Sequence, residues 1–116
     1  MFKGLFVAAV TAALIAVPAY ASSSAVALKG EVGPGYSIEV TKAGKDLKTI
    51  RAGTYKIKVE DKSAIHNFHL IGPGINKKTG VGPKGTFTWT VTLKKGTYKY
   101  ICDPHAAIMK GSFKVT

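Results

Sequence analysis

The stretch Thr86-Phe87-Thr88-Trp89-Thr90-Val91-Thr92-Leu93 decides the fold class. Its large apolar side chains alternate one by one with four threonines. Successive side chains of a β-strand point to opposite faces, so this period of two predicts a strand with one face buried and the other in water. Aromatic and β-branched residues also favour strands.

The same alternation recurs along the chain. Gly-Pro turn signals separate the segments, and no ten-residue helical stripe follows the N-terminal apolar run. Residues 62–64 and 75–85 read as connecting loops. Several short strands with regular turns predict an all-β protein, a Greek-key β-sandwich or small barrel. The alternating segments are 36–41, 55–60, 66–70, 87–93, 98–102 and 113–115.

The N-terminus has the pattern of a secretory signal peptide over residues 1–21. Lys3 precedes an apolar run of 14 residues, and Ala19-Tyr20-Ala21 forms an A-x-A cleavage site. The run is shorter than the roughly 20 residues that span a bilayer. We therefore expect cleavage near Ala21/Ser22, export to the periplasm or the extracellular space, and no stable membrane insertion.

Small residues dominate the segment after this cleavage site. The composition of residues 22–35 predicts a flexible leader. The alternating pattern begins at Tyr36, so we place a single domain at residues 36–116. A domain of that size is too small for a second domain with its own core.

The charge is strongly positive, with 17 Lys and Arg residues against 6 Asp and Glu residues and a net charge of +11. Arg51 is the one arginine. Readers of nucleic acid favour arginine for bidentate contacts, so we expect no nucleic-acid partner. Scattered lysines are typical of a surface that attracts acidic partner proteins. A role in solubility alone explains the same lysines equally well.

Four side chains are candidate metal ligands: His66, Cys102, His105 and Met109. A sandwich brings strand ends together at one pole, where these four can meet. A soft thiolate and thioether with two imidazoles favour copper, and a His₂Cys plane with a weak axial Met is typical of an electron-transfer copper site. Zinc rarely uses a thioether. Each residue alone also has an ordinary explanation, such as a small buried thiol or a core methionine.

His69 follows His66 by three residues, so on a strand the two point to opposite faces. His66 shares its parity with the apolar Phe68 and Leu70. The parity predicts His66 as the ligand, and His69 as a surface or inter-sheet residue.

The segments 65–70 and 102–109 resemble the cupredoxins, the type 1 or blue copper proteins of the plastocyanin, amicyanin and pseudoazurin group. The resemblance covers residues 36–116. It rests on His66-Asn67, on Cys102-x-Pro104-His105 and on Met109. It implies that His66, Cys102 and His105 are strong ligands of one copper and that Met109 is the axial ligand. It also implies that Asn67 ties the two ligand loops together.

This resemblance implies a monomeric mobile electron carrier, not an enzyme, with a Cu(I)/Cu(II) couple. We expect it to dock transiently on acidic redox partners through an apolar rim formed by Pro104, 106–108 and 72–75. Two alternatives use the same sequence. One is a copper carrier that delivers copper to exported enzymes, and the other is a metal-free sandwich that serves as a binding module.

Overall fold

A computed structural model describes residues 26–116, which form two five-stranded sheets packed face to face. The first sheet has the strand order β3-β2-β1-β5-β8, and the second has the order β4-β10-β9-β6-β7. No helix within the described residues is long and apolar enough to cross a bilayer. The strands are β1 (Ala27–Val32), β2 (Ile38–Lys42), β3 (Lys45–Asp46), β4 (Thr49–Ile50), β5 (Gly53–Asp61), β6 (His69–Gly72), β7 (Ile75–Lys78), β8 (Gly85–Leu93), β9 (Gly96–Ile101) and β10 (Lys110–Val115).

The alternating stretch forms β8, which pairs antiparallel with β5 along its full length. Its threonines are exposed, while Val91 and Leu93 are buried in the core. Phe87 and Trp89 are half-buried against the same core. The predicted all-β sandwich is therefore confirmed, with the expected face of this strand turned inward.

The predicted leader is wrong for residues 27–32, which form β1. This strand lies inside the first sheet, parallel to β5 and antiparallel to β2, with Leu28 and Val32 buried. Gly30 takes the inward position between them, where a Cβ would lie 2.8 Å from the Phe68 ring. The glycine interrupts the apolar alternation and hides the strand in the sequence. The signal peptide and its cleavage site lie outside the described residues.

Two further boundaries differ from the sequence prediction. Strand β6 begins at His69, so His66 and Asn67 lie in the preceding loop. Residues Ile75–Lys78 form β7, an edge strand paired with β6, where we expected a loop. Short polar edge strands carry little apolar alternation, which explains why the sequence pattern missed β7.

Four loops meet at one end of the sandwich, which we call the ligand pole: residues 33–37, 62–68, 79–84 and 102–109. The pairing of Asp61 with Gly85 and of His69 with Ile101 brings these connections to the same end. Stacked aromatic rings fill the core beneath, including Tyr98 on Phe113 at 5.5 Å between ring centroids. The strand ends thus supply a rigid platform for the loops.

Candidate metal centre

Three of the predicted ligands meet at the ligand pole. Cys102 follows β9 directly and is fully buried, and His105 ends the 3₁₀ turn Asp103–His105. His66 comes from the loop after β5 and is also fully buried. The loop that carries Cys102 and His105 is closed by main-chain hydrogen bonds, since Cys102 N donates to Met109 O (3.0 Å) and Met109 N donates to His105 O (2.8 Å).

The donor atoms form a triangle that fits a metal ion. The two Nδ1 atoms of His66 and His105 are 3.1 Å apart, and they lie 3.7 and 3.6 Å from Cys102 Sγ. The point equidistant from the three atoms is about 2.0 Å from each. This matches the roughly 2.0–2.1 Å of a bond from imidazole nitrogen to Zn²⁺ and is about 0.3 Å shorter than a Zn–S bond, so an ion here would sit slightly farther from the sulfur. The three donors lie together in a metal-binding arrangement. A buried thiolate with two imidazoles is a donor set that suits copper.

Met109 is buried at the end of the same loop, with 1 % of its surface exposed. Its main chain is bonded to Cys102 and His105, so the loop fixes where it lies. Its assignment as axial ligand stays a prediction.

Asn67 links the two ligand loops. Its main-chain N–H points at Cys102 Sγ, 3.5 Å away, and its side-chain Oδ1 accepts a hydrogen bond from Asp103 N at 2.8 Å. Bonds of this kind hold a metal ligand in place and tune its donor strength. Asn67 therefore contacts the loop that carries Cys102 through both its main chain and its side chain.

Sequence reasoning missed the pair formed by Asp103 and His69. Asp103 Oδ1 lies 2.8 Å from His69 Nδ1, and His69 Nε2 lies 2.6 Å from Asn76 Oδ1. Burial alone raises the pKa of Asp103, but hydrogen bonds from His69 and Asn67 outweigh it and hold that pKa below its usual range. His69 is not one of the three grouped donors, yet it is tied to the ligand loop through Asp103.

Sequence reasoning also misplaced Tyr36, which we counted as the first residue of an alternating strand. It precedes β2 and is 62 % exposed. Its ring contacts both ligand imidazoles edge-on, with centroid distances of 5.3 Å to His66 and 5.1 Å to His105. Gly33 makes this turn possible, since its φ is +76° and a Cβ there would lie 2.9 Å from Ser63 Cβ. The ring covers the donor triangle from the side of the 33–37 loop.

Exposed apolar side chains gather around the ligand pole. Within residues 26–116, six large apolar residues are exposed, and four of them lie on the four pole loops. We call these four the pole rim: Tyr36 (62 %), Ile65 (52 %), Val81 (51 %) and Ile108 (67 %). Exposed apolar groups gathered in one place are typical of an interaction surface.

The expected contribution of residues 72–75 to this rim is wrong. The β6–β7 hairpin turns at the opposite end of the sandwich, because β6 runs away from the ligand pole. Tyr98, near the start of β9, donates its hydroxyl to Pro73 O at 2.7 Å and so fixes the hairpin there. Ile65 and Val81 on other loops take the place that we gave to this hairpin.

Asp61, at the end of β5, is a buried carboxylate. It is 3 % exposed, and Ser63 N donates to its Oδ1 at 3.0 Å. Burial raises the pKa of Asp61 more than the Ser63 N–H and the nearby His66 lower it. The ionised carboxylate therefore destabilises the fold at neutral pH, and this cost disappears as the pH falls and the group takes up its proton in both states.

We expect Asp61→Asn to stabilise the metal-free protein by about 1 kcal/mol at pH 7. The variant keeps an oxygen for the Ser63 N–H and removes the buried charge. The difference from the unchanged protein should vanish below the ordinary aspartate pKa of 3.8. Urea unfolding at pH 7 and pH 3 measures both values. A variant that is less stable at both pH values would contradict this electrostatic account.

A buried thiolate and two imidazoles at one pole of a β-sandwich define the class of mononuclear metal proteins with a trigonal N₂S donor set. In that class, soft sulfur and imidazole ligands select copper.

The chain belongs to the copper-binding proteins of the plastocyanin/azurin family, which its residues 35–116 match. It is 36 % identical over 116 residues to amicyanin-alpha of Methylorubrum extorquens, with 92 % of this chain and 96 % of that protein covered. The resemblance to cupredoxins and the prediction of one type 1 copper as cofactor are confirmed.

Two solved structures share the fold. Reduced rusticyanin superposes with a TM-score of 0.61 at 25 % identity, covering 80 % of each chain. Auracyanin A, a "blue" copper protein of Chloroflexus aurantiacus, superposes with a TM-score of 0.56 at 21 % identity, covering 78 % of this chain and 98 % of that one. The sandwich described above is therefore a cupredoxin fold.

Proposed function

We propose that this protein is a small, mobile electron carrier that holds one copper ion through His66, Cys102 and His105, with Met109 as axial ligand. The observation that carries the proposal is the donor triangle, whose centre lies about 2.0 Å from all three atoms. When bound there, copper supplies one-electron redox chemistry between Cu(I) and Cu(II). With the protein filling every ligand position, the site favours electron transfer over catalysis on a bound substrate, so we propose a carrier, not an enzyme.

The surrounding residues hold the donors still. Main-chain hydrogen bonds close the ligand loop, and Asn67 ties that loop to the one carrying His66. Tyr36 packs on both imidazole rings. Donors fixed in this way move little between the two oxidation states, which keeps the energy of reorganisation small and transfer fast.

His105 is the ligand nearest to solvent, since it is half-buried while His66 and Cys102 are fully buried. Its ring contacts Tyr36 of the pole rim, and it lies three residues before Ile108 on the same loop. We propose that electrons pass through its imidazole to a partner seated on this rim, where apolar contact excludes water. A small apolar surface gives the weak, short-lived docking that a carrier needs.

The charge of the second sheet supports an acidic partner. Its five strands carry five lysines and no carboxylate. Lys78 and Lys110 lie at the ends of β7 and β10 that face the ligand pole. In the first sheet, Glu31 and Glu60 are paired with lysines. Lysines near a docking surface raise the association rate of acidic partners, and salt weakens this effect.

Export and a monomeric state complete the proposal. The pattern of residues 1–21 supports secretion, with cleavage near Ala21/Ser22. A carrier that docks by a single small rim needs no permanent second copy. Size-exclusion chromatography of the secreted protein together with its mass tests both statements.

An electron carrier keeps its copper ion, whereas a copper-delivery protein releases it, so a measurement of copper release distinguishes the two functions. The Cu(I) protein is mixed with excess bathocuproine disulfonate, a strong Cu(I) chelator, while electron self-exchange is measured by NMR line broadening in mixtures of the Cu(I) and Cu(II) forms. A relay keeps its copper for hours and exchanges electrons rapidly. Loss of copper within seconds together with slow self-exchange would favour the delivery alternative and overturn our proposal.

Replacement of Ile108 by glutamate should slow self-exchange at least tenfold. The side chain is 67 % exposed in the pole rim, so each docked pair would bury two extra charges. The visible spectrum should not change, because Ile108 is not a donor. Ile71→Glu is the matched control, since Ile71 is exposed on β6 away from the pole. An equal effect of both substitutions would show that charge alone matters, and not docking on the rim.

A further inference from the structure

The carboxylate of Asp103, on the loop that carries Cys102, contacts Asn67 in the loop before β6 and His69 at the start of β6. One oxygen, Oδ2, accepts a hydrogen bond from Asn67 Nδ2 at 2.7 Å, and the other, Oδ1, lies 2.8 Å from His69 Nδ1. We propose that Asp103 and His69 act together as positioning residues that hold Asn67 against the thiolate of Cys102 and thereby raise the reduction potential of the site. This inference rests on the proposed function, because it needs copper at Cys102.

The side chain of Asn67 is fully bonded. Its amide nitrogen donates to Asp103 Oδ2 and to Thr79 O at 3.2 Å, while its oxygen accepts from Asp103 N. A primary amide has two N–H donors, and here both are used. The amide therefore has one orientation that satisfies all three bonds, and Asp103 supplies two of them. Without its carboxylate, one amide N–H of Asn67 would lose its partner.

His69 fixes the carboxylate from the other side. Its Nδ1 faces Asp103 Oδ1 and its Nε2 faces Asn76 Oδ1 at 2.6 Å. Both ring nitrogens thus have a polar partner, so the orientation of the ring is set by two contacts at once. Its side chain is 14 % exposed, against 38 % for Asp103, so the more exposed carboxylate is held by the better-shielded ring. The strands β6 and β7 anchor this pair to the sheet.

The position of Asn67 affects the Cys102 sulfur through a main-chain contact. Its N–H lies 3.5 Å from Cys102 Sγ. A hydrogen bond to a ligating sulfur withdraws electron density from it, and hydrogen bonds around such a sulfur tune the potential. A less basic thiolate stabilises Cu(II) less, so the bond favours Cu(I). Loosening of Asn67 should therefore lower the potential.

A purely electrostatic role makes the opposite prediction for one of the two residues. If the carboxylate charge of Asp103 acts through space alone, its removal raises the potential. If the pair positions Asn67, both removals lower the potential. The two effects should also fail to add in the double variant, because either change alone releases the same amide.

The test compares the reduction potentials of Asp103→Asn, His69→Gln and the double variant with that of the unchanged protein, by voltammetry at pH 7. Glu39→Gln is the control for net charge, since Glu39 is exposed on β2. We expect each single variant to lose at least threefold in its preference for Cu(I) over Cu(II), about 30 mV for a one-electron couple. The double variant should lose no more than either. Shifts of opposite sign, or shifts that add, would overturn the inference.

A second readout needs no copper. In the metal-free protein, the side-chain amide protons of Asn67 should exchange slowly with water, and both single variants should make this exchange at least tenfold faster. Unchanged exchange in folded variants would also overturn the inference. If the unchanged protein forms no thiolate-bound copper, the proposed function fails, whereas variants that shift in opposite directions around an intact copper site refute the positioning role alone.

Discussion

Replacement of Cys102 by serine is expected to abolish the intense visible absorption of the Cu(II) protein and its reversible one-electron couple. The thiolate is the soft donor of the triangle, and a serine hydroxyl stays protonated and binds copper weakly. Two imidazoles remain at 3.1 Å between their Nδ1 atoms, enough for weak residual binding of Cu(II). The intense band arises from charge transfer between sulfur and copper, so it cannot survive the loss of sulfur.

The fold should tolerate this change. Serine is close in size to cysteine, and its oxygen can accept the Asn67 N–H that now points at Sγ. We expect the metal-free variant to lose about 1–3 kcal/mol, the cost of a buried hydroxyl with incomplete partners. Visible spectra after one equivalent of Cu(II), with far-UV circular dichroism of both proteins, make the comparison. An intense band in a folded Cys102→Ser protein would refute thiolate ligation and the proposed function with it.

The class of fold and the meeting of His66, Cys102 and His105 at one pole could be predicted from the sequence. The alternation in β8 depends on local spacing alone, so it predicts a strand wherever the chain places it. Thirty-five residues separate His66 from Cys102, yet both lie in loops next to strand ends, and a sandwich brings such loops together. The soft sulfur donors and the imidazoles alone make copper the expected ion.

Features that depend on packing between distant segments could not be predicted from the sequence. Gly30 fits beneath the Phe68 ring, so β1 shows no continuous apolar face. The contact of Asp103 with His69 needs the pairing of β6 with β9, which sets Ile101 opposite His69. The direction of β6 also determines that Pro73 lies away from the ligand pole. None of these features produces a periodic pattern in the sequence.

Gly72→Ala is expected to destabilise the protein by about 3 kcal/mol, at the upper end of the usual cost of overpacking. A Cβ at this position would lie within 2.6 Å of Cγ and Cε1 of Tyr98 and would also overlap its Cδ1. The tyrosine ring is fully buried, stacks on Phe113, and has its hydroxyl bonded to Pro73 O and Lys94 N. The ring therefore has no free space into which it can move.

Gly35→Ala is the matched control, because a Cβ at Gly35 meets no atom within 4 Å. Its unfolding free energy should change by less than about 0.5 kcal/mol. Alanine otherwise favours the folded chain, since it restricts the unfolded state more than glycine does. A loss at Gly72 therefore measures the clash with Tyr98 and not backbone freedom. Urea unfolding of the two metal-free variants gives both values, and equal stabilities would show that the Tyr98 ring shifts freely and that the core beneath the hairpin is loosely packed.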